Sequence, residues 1–238
     1  MLKVELHTHT ADDPADLIPH STSELIDRAA ALGYDAVAIT LHDRQLDLAP
    51  WQEQARGRGI VLIPGVERTI KGKHVLLLNF PAAAERIDSY DALRTLKRHS
   101  GGLVVAPHPF YPGGTGLGPL MDRHADLFDA VEWTWFYTAD TSCFNDRAAD
   151  WARRHGKPIV ANADVHRLLQ LGTTYSLVEA DRNVESICGA IRAGRLTLVT
   201  QPLGAVEAAS YFSSLLAATA RKWSRSVVRD LRPVAEQV

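Results

Sequence analysis

Residues 21–40 read STSELIDRAAALGYDAVAIT and contain the unit from which the fold is built. Four apolar residues share one face of a predicted helix: Leu25, Ile26, Ala29 and Ala30. Either Ser21 or Ser23 is suited to cap this helix at its start, and Gly33 is suited to end it. The next residues, DAVAIT, form a short apolar run with β-branched side chains, which predicts a strand. The stretch therefore predicts a helix to Leu32, a glycine turn and a strand.

The same order of helix, glycine and strand recurs along the chain. Further helices are predicted at 90–99, 145–155 and 183–193. Predicted strands lie at 3–6, 35–40, 60–64, 74–80, 103–106, 130–133, 159–161 and 196–199. Their nearly continuous apolar character is typical of a parallel sheet that is covered on both faces. Units of this kind in series imply right-handed crossovers, and seven or so such strands favour a closed α/β barrel over an open sheet.

The chain has no linker rich in proline, glycine or serine before about residue 200. We therefore expect one barrel domain over residues 1–200 and a helical tail over 201–238. Residues 203–220 are rich in alanine and serine, and a basic stretch follows: Arg221, Lys222, Arg225, Arg229 and Arg232. The tail is expected to be a helix packed on the barrel with a solvated basic face; a membrane-surface or partner helix is the alternative.

Composition excludes several classes of protein. The 238 residues are 46% apolar and 23% charged, and 26 basic residues against 28 acidic ones give a net charge of −2. A nucleic-acid coat protein or a polybasic membrane binder would need a basic excess. Two cysteines do not make a disulfide framework, and no long apolar segment predicts a secretion signal or a membrane span. A cytoplasmic location is the resulting expectation, and no glycine-rich nucleotide loop follows any strand.

Histidines and acidic residues occupy the ends of most predicted strands. In chain order they are His7, His9, His42, Asp43, Glu67, His74, His108, Glu132, Asp164 and His166. All but His74 fall at or just past the carboxyl end of a strand. In a closed barrel those ends converge on one face, which is where such barrels hold their active sites. The pattern predicts a single pocket lined by imidazoles and carboxylates.

These side chains are suited to metal ions. Imidazole and carboxylate together bind ions such as Zn²⁺, Mn²⁺ and Fe²⁺. Strand alternation places His7 and His9 on the same side, and Asp164 and His166 repeat that spacing. Since one ion needs about four ligands, at least eight candidates predict two or three divalent ions. Glu67 is suited to bridge two of them.

The ordered motifs resemble those of the polymerase and histidinol phosphatase (PHP) superfamily over residues 1 to about 200. The motifs are HTH at 7–9, ITLHD at 39–43, GVE at 65–67, His74, APHP at 106–109 and NADVH at 162–166. The resemblance implies a distorted seven-stranded (β/α)7 barrel and a phosphoesterase centre with two or three ions. It implies one ion held by His7, His9, Glu67 and Asp164, a second held by Glu67, His74 and His108, and a third held by His42 and His166.

Two motifs depart from the family pattern. The family usually has Thr-Asp-His in the second motif, whereas this chain has Thr40-Leu41-His42-Asp43, with the carboxylate on the other side of the histidine. The family also has an aspartate or histidine in the loop after the first motif. Here the candidates for that ligand are Asp13, Asp16 and His20, and the two aspartates are preferred because His20 adjoins a helix start.

The resemblance and the ion chemistry predict hydrolysis of a phosphate ester. Two ions about 3.5–4 Å apart lower the pKa of a bridging water, so a hydroxide between them is expected to attack phosphorus. Three arginines adjoin a predicted ligand and are suited to hold the phosphate: Arg44, Arg68 and Arg167. His42 or Asp43 is a candidate proton donor to the leaving oxygen, and Asp164 is a candidate to orient the water. The residues predicted to act in catalysis are therefore His42, Asp164 and Arg68.

The near-neutral charge favours a small-molecule or nucleotide phosphate ester, mono- or diester, over long nucleic acid. Aromatic residues in the strand-end loops are suited either to stack on a base or to pack the rim: Trp51, Phe110, Tyr111, Trp133, Trp135, Phe136 and Tyr137. Residues 110–116 form a candidate lid. Two other functions stay open, namely hydrolysis at carbon as in amidohydrolase barrels and a non-catalytic metal-binding module. Amidohydrolases often bridge their ions with a lysine, so Glu67 favours the phosphoesterase. The oligomeric state does not follow from the sequence.

Overall fold

The structure is a computed structural model that describes residues 1–204, 206–209 and 211. The chain divides into two units, Met1–Pro202 and Leu203–Val238. The strands are β1 (Leu2–Glu5), β2 (Ala36–Ile39), β3 (Val61–Ile70), β4 (Lys73–Leu78), β5 (Leu103–Ala106), β6 (Ala130–Thr134), β7 (Ile159–Asn162), β8 (Tyr175–Val178) and β9 (Leu196–Val199). The helices are α1 (Thr22–Ala31), α2 (Gln52–Gly57), α3 (Tyr90–Arg98), α4 (Leu120–Arg123), α5 (Cys143–Arg154) and α6 (Val184–Arg192), with 3-10 turns at Ala49–Trp51, Ala82–Arg86 and Leu168–Gln170. The predicted basic stretch from Arg221 to Arg232 lies outside the described residues.

Helix α1 and strand β2 form as the sequence predicts. The Ser21 hydroxyl accepts a hydrogen bond from the Glu24 backbone N–H at 3.2 Å, and the Glu24 carboxylate accepts one from the Ser21 N–H at 2.8 Å. This reciprocal pair satisfies two backbone donors that a helix start otherwise leaves without partners. Leu25 and Ile26 are fully buried on the inner face, and Gly33 ends the helix with φ of 72°. A positive φ at this place is a common helix ending and favours glycine.

The sheet is mixed and has nine strands in the order β7-β6-β5-β4-β3-β2-β1-β8-β9. Neighbours from β1 to β3 and from β5 to β7 are parallel. Strand β4 is antiparallel to both β3 and β5, and β8 is antiparallel to both β1 and β9. The expectation of an α/β barrel with parallel units is therefore right for four of the eight strand pairings. It is wrong in the strand count and in the direction of β4 and β8.

The direction of β4 has a local cause. Strand β3 continues to Ile70, and a turn at Lys71 and Gly72 with φ of 50° and 75° leads directly into β4. A two-residue turn with positive φ at both positions joins antiparallel strands, because its twist matches that of the strands. No crossover helix separates β3 from β4, so the two strands form a hairpin. The start of β4 consequently lies at the edge of the sheet where β3 and its parallel neighbours end.

Strand β8 was not predicted. Tyr175–Val178 alternates half-buried and buried positions, as an antiparallel strand with one open face does. It therefore lacks the continuous apolar run that marked the other strands. Strand β9 was predicted, but it pairs with β8 and extends the sheet past β1.

The sheet nearly closes into a barrel at the carboxyl ends of β1 and β7. Thr8 and Val165 form an isolated parallel bridge just beyond these strands. The Val165 N–H donates to the His7 carbonyl and the His9 N–H donates to the Val165 carbonyl, both at 3.0 Å. These bonds join two of the chain segments that carry the predicted ligands.

Two apolar clusters support the sheet. One lies under α3, α4 and α5 and includes Trp151, Phe128 and Leu93, each 1% exposed or less. The other includes Ile63 and the inner side of α6. None of the helices in the described part of the chain has both the length and the apolar character that crossing a bilayer requires.

Candidate metal centre

The predicted ligands lie at one edge of the sheet. His7 and His9 follow β1, His42 follows β2, Glu67 lies in β3, His74 lies in β4, His108 follows β5, and Asp164 and His166 follow β7. His74 did not fit the strand-end pattern in the sequence, since it is near the start of its strand. Because β4 runs antiparallel, its start pairs with the end of β3 through Thr69 and His74. The hairpin thus brings His74 to the same edge as the other residues.

Glu67 is the centre of the cluster, and its side chain is 1% exposed. Five imidazoles approach its two oxygens. Oε1 lies 2.7 Å from His74 Nδ1, 3.2 Å from His108 Nε2 and 3.4 Å from His7 Nε2, and Oε2 lies 3.1 Å from His42 Nε2 and 3.4 Å from His9 Nε2. Burial by itself raises the pKa of Glu67, but the neighbouring imidazoles, His7 first, outweigh it and hold the pKa well below its usual value.

Asp164 approaches the same imidazoles from the other side. Its Oδ1 lies 3.2 Å from His7 Nε2 and 3.4 Å from His9 Nε2. Asp164 has φ of 48° and His108 has φ of 29°, a backbone region that residues with side chains rarely adopt. Such conformations persist where the surrounding structure enforces them, and they are frequent at functional sites.

Three buried atoms of the cluster make no hydrogen bond to the described residues: His7 Nε2, His9 Nε2 and Asp164 Oδ1. An unpartnered buried polar atom costs about 1–3 kcal/mol. Two ligand atoms that each lie about 2.0–2.1 Å from a tetrahedral ion are about 3.3–3.4 Å apart. The atoms here are separated by 3.2 and 3.4 Å, so the donor set fits a divalent ion.

Four sets of three residues bring one ligand atom each within 4.8 Å of one another. They are His9, His42 and His166; His7, His108 and Asp164; His7, His9 and Glu67; and His42, Glu67 and His74. Every member is one of the ligands predicted from the sequence. The sets overlap at His7, His9, His42 and Glu67, which is consistent with a centre for more than one ion.

Glu132 supports two members of the cluster, and the ligand set drawn from the sequence did not include it. The residue is fully buried in β6. Its Oε1 accepts hydrogen bonds from His7 Nδ1 at 2.9 Å and from the Asn162 amide at 2.8 Å, and its Oε2 accepts one from the His108 backbone N–H at 2.7 Å. The sequence placed Glu132 among the strand-end acids, and the structure places it in the middle of β6.

Glu5 is a second buried carboxylate behind the cluster. It accepts hydrogen bonds from the backbone N–H groups of His7 at 3.0 Å and Ala163 at 3.0 Å, and so links the ends of β1 and β7. Burial raises the pKa of Glu5 to about 8. The sequence contained no signal for this role beyond strand alternation with His7.

Asp13 faces the cluster, and its oxygens are taken by hydrogen-bond donors. Its Oδ2 lies 2.9 Å from His9 Nδ1, 3.0 Å from His42 Nδ1 and 3.0 Å from the His42 backbone nitrogen. Its Oδ1 accepts from the backbone N–H groups of Ala15 and Asp16. Burial raises the pKa of Asp13, but the bonds from His42 and His9 outweigh it and hold the pKa below its usual value.

The other two candidates in this loop contact the cluster differently. Asp16 Oδ2 lies 3.4 Å from His166 Nε2 at the outer side. His20 Nε2 lies 2.9 Å from the His9 carbonyl oxygen and thus donates to the backbone of a ligand residue. The helix cap next to it is Ser21, so His20 does not cap α1.

The three candidate arginines have different partners. Arg68 is paired with Asp43 and donates to the Ile87 carbonyl at 2.5 Å. Asp43 also accepts from the Thr69 N–H at 2.6 Å, so the displaced carboxylate of the second motif is bound to β3. Arg44 donates to the Asp12 carbonyl at 3.3 Å. The half-buried Arg167 adjoins His166, and its guanidinium makes no ion pair within the described residues.

The aromatic residues after β5 pack against their own surroundings. The Arg147 guanidinium lies 4.4 Å over the Phe110 ring, and the rings of Tyr111 and Phe144 are 5.0 Å apart. The Tyr111 hydroxyl donates to the Phe136 carbonyl at 2.8 Å. Of the two uses considered for Phe110 and Tyr111, these contacts favour rim packing.

Comparison with known proteins gives a family match in one part of the chain. Residues 143–196, from α5 to the start of β9, match the family model described as PHP-associated. No curated protein matches the chain by sequence.

Solved structures with the same fold cover most of the chain. One is a two-domain protein from Bacteroides vulgatus that contains a predicted PHP-like metal-dependent phosphoesterase, with a TM-score of 0.67 and 21% identity over 84% of this chain; this chain spans 65% of that protein. Another is PsfC from Pseudomonas syringae, with a TM-score of 0.64 and 15% identity over 92% of this chain and 98% of that one.

A third similar structure is endonuclease Q in complex with a 27-mer duplex substrate that has an abasic lesion at the active site. Its TM-score is 0.56 and its identity is 20%, over 81% of this chain and 56% of that one. At these identities the likeness establishes the fold, which is PHP-like, and not the activity.

Proposed function

We propose that this chain, a protein of the PHP superfamily by its fold and its PHP-associated segment, is a metal-dependent phosphoesterase that hydrolyses a small-molecule or nucleotide phosphate ester. The observation that carries the proposal is that His7 Nε2, His9 Nε2 and Asp164 Oδ1 make no hydrogen bond within the described, buried cluster, although Asp164 Oδ1 lies 3.2 and 3.4 Å from the two nitrogens. Most buried polar atoms in folded proteins have a hydrogen-bond partner, so three neighbouring atoms without one support a bound metal ion at this place.

The proposed centre holds two or three ions. The first would be held by His7, His9, Glu67 and Asp164, the second by Glu67, His74 and His108, and the third by His42 and His166. Divalent Zn, Mn or Fe in such a centre supplies an activated water and positive charge opposite the phosphate oxygens. Glu67 would be shared by the first two ions, since its two oxygens face imidazoles of both sets.

The chain's own residues then set the geometry of the reaction. Asp164 is proposed to orient the attacking water, because its left-handed backbone holds Oδ1 toward His7 and His9. His42 Nδ1 lies 3.0 Å from Asp13, and its Nε2 lies 3.1 Å from Glu67; the residue belongs to a set of possible metal ligands with Glu67 and His74. We therefore assign His42 Nε2 to metal binding.

Arg167 is proposed to contact the phosphate. It adjoins His166 and has no carboxylate partner in the described residues, so its guanidinium is available for a bidentate contact with an anion. Arg68 is engaged by Asp43 and the Ile87 carbonyl, and we propose that it fixes the segment after His42.

The proposed substrate class follows from charge. A protein that binds long nucleic acid needs a basic surface to neutralise several phosphates, whereas this chain has a net charge of −2. Endonuclease Q, which has a similar fold, acts on duplex DNA; for this chain we propose a single small ester instead.

The test is a panel of phosphate mono- and diesters with the Mn²⁺-loaded and Zn²⁺-loaded protein. We expect turnover of at least one ester and a fall of more than about 100-fold in His9→Ala, beyond the 10–100-fold typical of residues that only support a ligand. His99→Ala is the matched control, because His99 lies at the end of α3 and bonds to the Thr95 carbonyl.

Two outcomes would overturn the proposal. Turnover of amides or lactones with no phosphoester activity would indicate hydrolysis at carbon. Full metal loading without turnover of any ester would indicate a metal-binding module.

A further inference from the structure

Two carboxylates next to the cluster, Glu132 and Asp13, each bond to a different set of predicted ligands. The first set, called here the inner triad, is His7, His108 and Asp164, and the second, the outer triad, is His9, His42 and His166. Glu132 bonds to two members of the inner triad, His7 through its ring and His108 through its backbone. Asp13 bonds to two members of the outer triad, His9 and His42, through their rings.

Each carboxylate fixes the form of the imidazoles that it contacts. An ionised carboxylate only accepts hydrogen bonds, so the Nδ1 atoms of His7, His9 and His42 must carry protons where they face Glu132 or Asp13. The Nε2 atoms of these rings then keep their lone pairs for a metal ion. His7 Nε2 and His9 Nε2 are two of the atoms without a hydrogen-bond partner among the described residues.

The two supports share no residue. Glu132 lies in β6 and is fully buried, with Asn162 of β7 as its third donor at 2.8 Å. Asp13 lies in the loop between β1 and α1, and its remaining oxygen accepts from Ala15 and Asp16 of that same loop. The side chains of the inner His7 and Glu132 are 0% exposed, whereas that of the outer His166 is 27% exposed.

We propose that Glu132 and Asp13 are separate positioning residues, Glu132 for His7 and His108 and Asp13 for His9 and His42. With the ions assigned as above, the ion of Glu67, His74 and His108 would depend on Glu132 alone, and the ion of His42 and His166 would depend on Asp13 alone. The ion that His7 and His9 share would depend on both carboxylates. The inference rests on the proposed function only in that the cluster binds metal.

An amide cannot replace either carboxylate without conflict. All three groups that face Glu132 are donors, so a glutamine there must direct its NH2 group at one of them. The same holds for an asparagine in place of Asp13, whose two oxygens together face donors of His9, His42, Ala15 and Asp16. A carboxylate with donors on both oxygens is therefore required at both positions.

The experiment compares Asp13→Asn, Glu132→Gln, the double variant and the wild type. Each is loaded with Mn²⁺, and the bound equivalents and dissociation constants are measured by competition with a fluorescent chelator. We expect each single variant to weaken the two ions that depend on its carboxylate by about 10–100-fold, the usual effect of losing a group that orients a metal ligand, and to leave the third ion as in the wild type. The double variant should weaken every ion, and it should weaken the ion that His7 and His9 share more than either single variant does.

Asp12→Asn is the matched control in the same loop. The Asp12 carboxylate faces the hydroxyls of Thr10 and Thr22 at 3.4 and 3.2 Å and bonds to no imidazole. This variant should bind Mn²⁺ as the wild type does. If Asp13→Asn acted only by loosening the loop between β1 and α1, Asp12→Asn would weaken Mn²⁺ binding as well. That result would contradict the proposal.

The proposal is overturned if either single variant loses all ions at once, or if Asp13→Asn binds every ion as tightly as the wild type. If Glu132→Gln does not fold, Asp13→Asn decides alone, since retention of the ion of Glu67, His74 and His108 with weaker binding of the others is the expected result. Because no substrate is present, failure here is distinct from failure of the proposed activity. A wild type that binds Mn²⁺ but hydrolyses no ester would refute the activity and leave this inference standing.

Discussion

The apolar layer under α3, α4 and α5 differs from the cluster at the strand ends in how it treats buried groups. In the layer, Trp151 is 1% exposed and packs edge-on to Phe128, and its indole N–H donates to Asp122 at 2.7 Å. In the cluster, one buried atom each of His7, His9 and Asp164 makes no hydrogen bond among the described residues.

The difference indicates which part stabilises the fold and which part is suited to hold metal. Burying apolar surface stabilises the folded chain, whereas burying unpartnered polar atoms destabilises it. The layer should therefore hold the fold in the absence of metal, and the cluster should become stabilising only when an ion is bound. Substitutions in the apolar layer should therefore leave metal binding unchanged, and substitutions in the cluster should leave the packing of the layer unchanged.

The largest effect is expected for Glu67→Gln. An amide offers one oxygen where the carboxylate offers two, so the residue could no longer face the imidazoles of both sets. Bound Mn²⁺ should fall by at least one equivalent and ester hydrolysis by more than about 100-fold. Elemental analysis and initial rates measure these values, with the exposed Glu53→Gln as control. Unchanged metal content would show that Glu67 is not a ligand.

Trp151→Ala should destabilise the apolar layer without changing metal binding by the cluster. Removing a buried tryptophan typically costs about 3–5 kcal/mol of unfolding free energy. Urea unfolding of the metal-free protein measures the loss, and the folded fraction should still bind the wild-type number of ions. Trp151→Phe provides a milder variant if the alanine protein does not fold. Reduced metal binding in the phenylalanine variant would contradict the separation of the two regions.

Removal of metal should lower stability without unfolding the chain. An ion present at 100 times its dissociation constant stabilises the native state by about 2.7 kcal/mol. Thermal unfolding with EDTA and with excess Mn²⁺ measures the shift, and Tm should be lower with EDTA. Glu67→Gln should show a smaller shift. Identical curves for the wild type under both conditions would argue against a buried metal site.

Metal affinity should rise with pH through the neutral range. Burial lowers the pKa of His7, but the carboxylates of Asp164 and Glu67 outweigh it and raise that pKa well above its usual value. The metal-free cluster therefore holds protons that an ion must displace, so acid weakens binding and base strengthens it. Calorimetry of Mn²⁺ binding in buffers of different ionisation enthalpy should detect proton release. Binding with no proton release would contradict this charge arrangement.

The smallest effect is expected for Arg167→Ala. A charge-assisted hydrogen bond to a phosphate contributes about 1.5 kcal/mol, and its loss corresponds to about a tenfold rise in KM. Metal content should not change, because Arg167 contacts no ligand atom in the described residues. Arg153→Ala is the control, since Arg153 pairs with Asp150 on α5. A loss of bound metal in Arg167→Ala would contradict the proposed role of Arg167 as a contact for the phosphate.

The sequence predicted the α/β barrel class and the gathering of widely separated histidines and acids at one sheet edge. That was possible because strand ends and helix caps are set by local sequence. Ser21, for example, marks the start of α1, and Gly33 marks its end. The hairpin at Lys71 and Gly72 also had a local signal, since two apolar runs flank it without an intervening helix. Recognising that turn would have explained His74.

Other features depend on contacts that no local pattern records. Asp13 was grouped with the ligands, but its oxygens face donors from His9, His42 and its own loop. Asp43 adjoins His42 in the chain, yet it is bound by Arg68 and the Thr69 N–H on β3. In both cases the three-dimensional arrangement of donors, and not the residue type, decides what the carboxylate does.

The most direct test of the account is the number of ions that the wild-type chain holds. The protein would be stripped with a chelator, reconstituted with Mn²⁺, freed of loosely bound metal and examined by elemental analysis. The account predicts at least two equivalents per chain. Fewer than two, in a protein that is folded by circular dichroism, would contradict it.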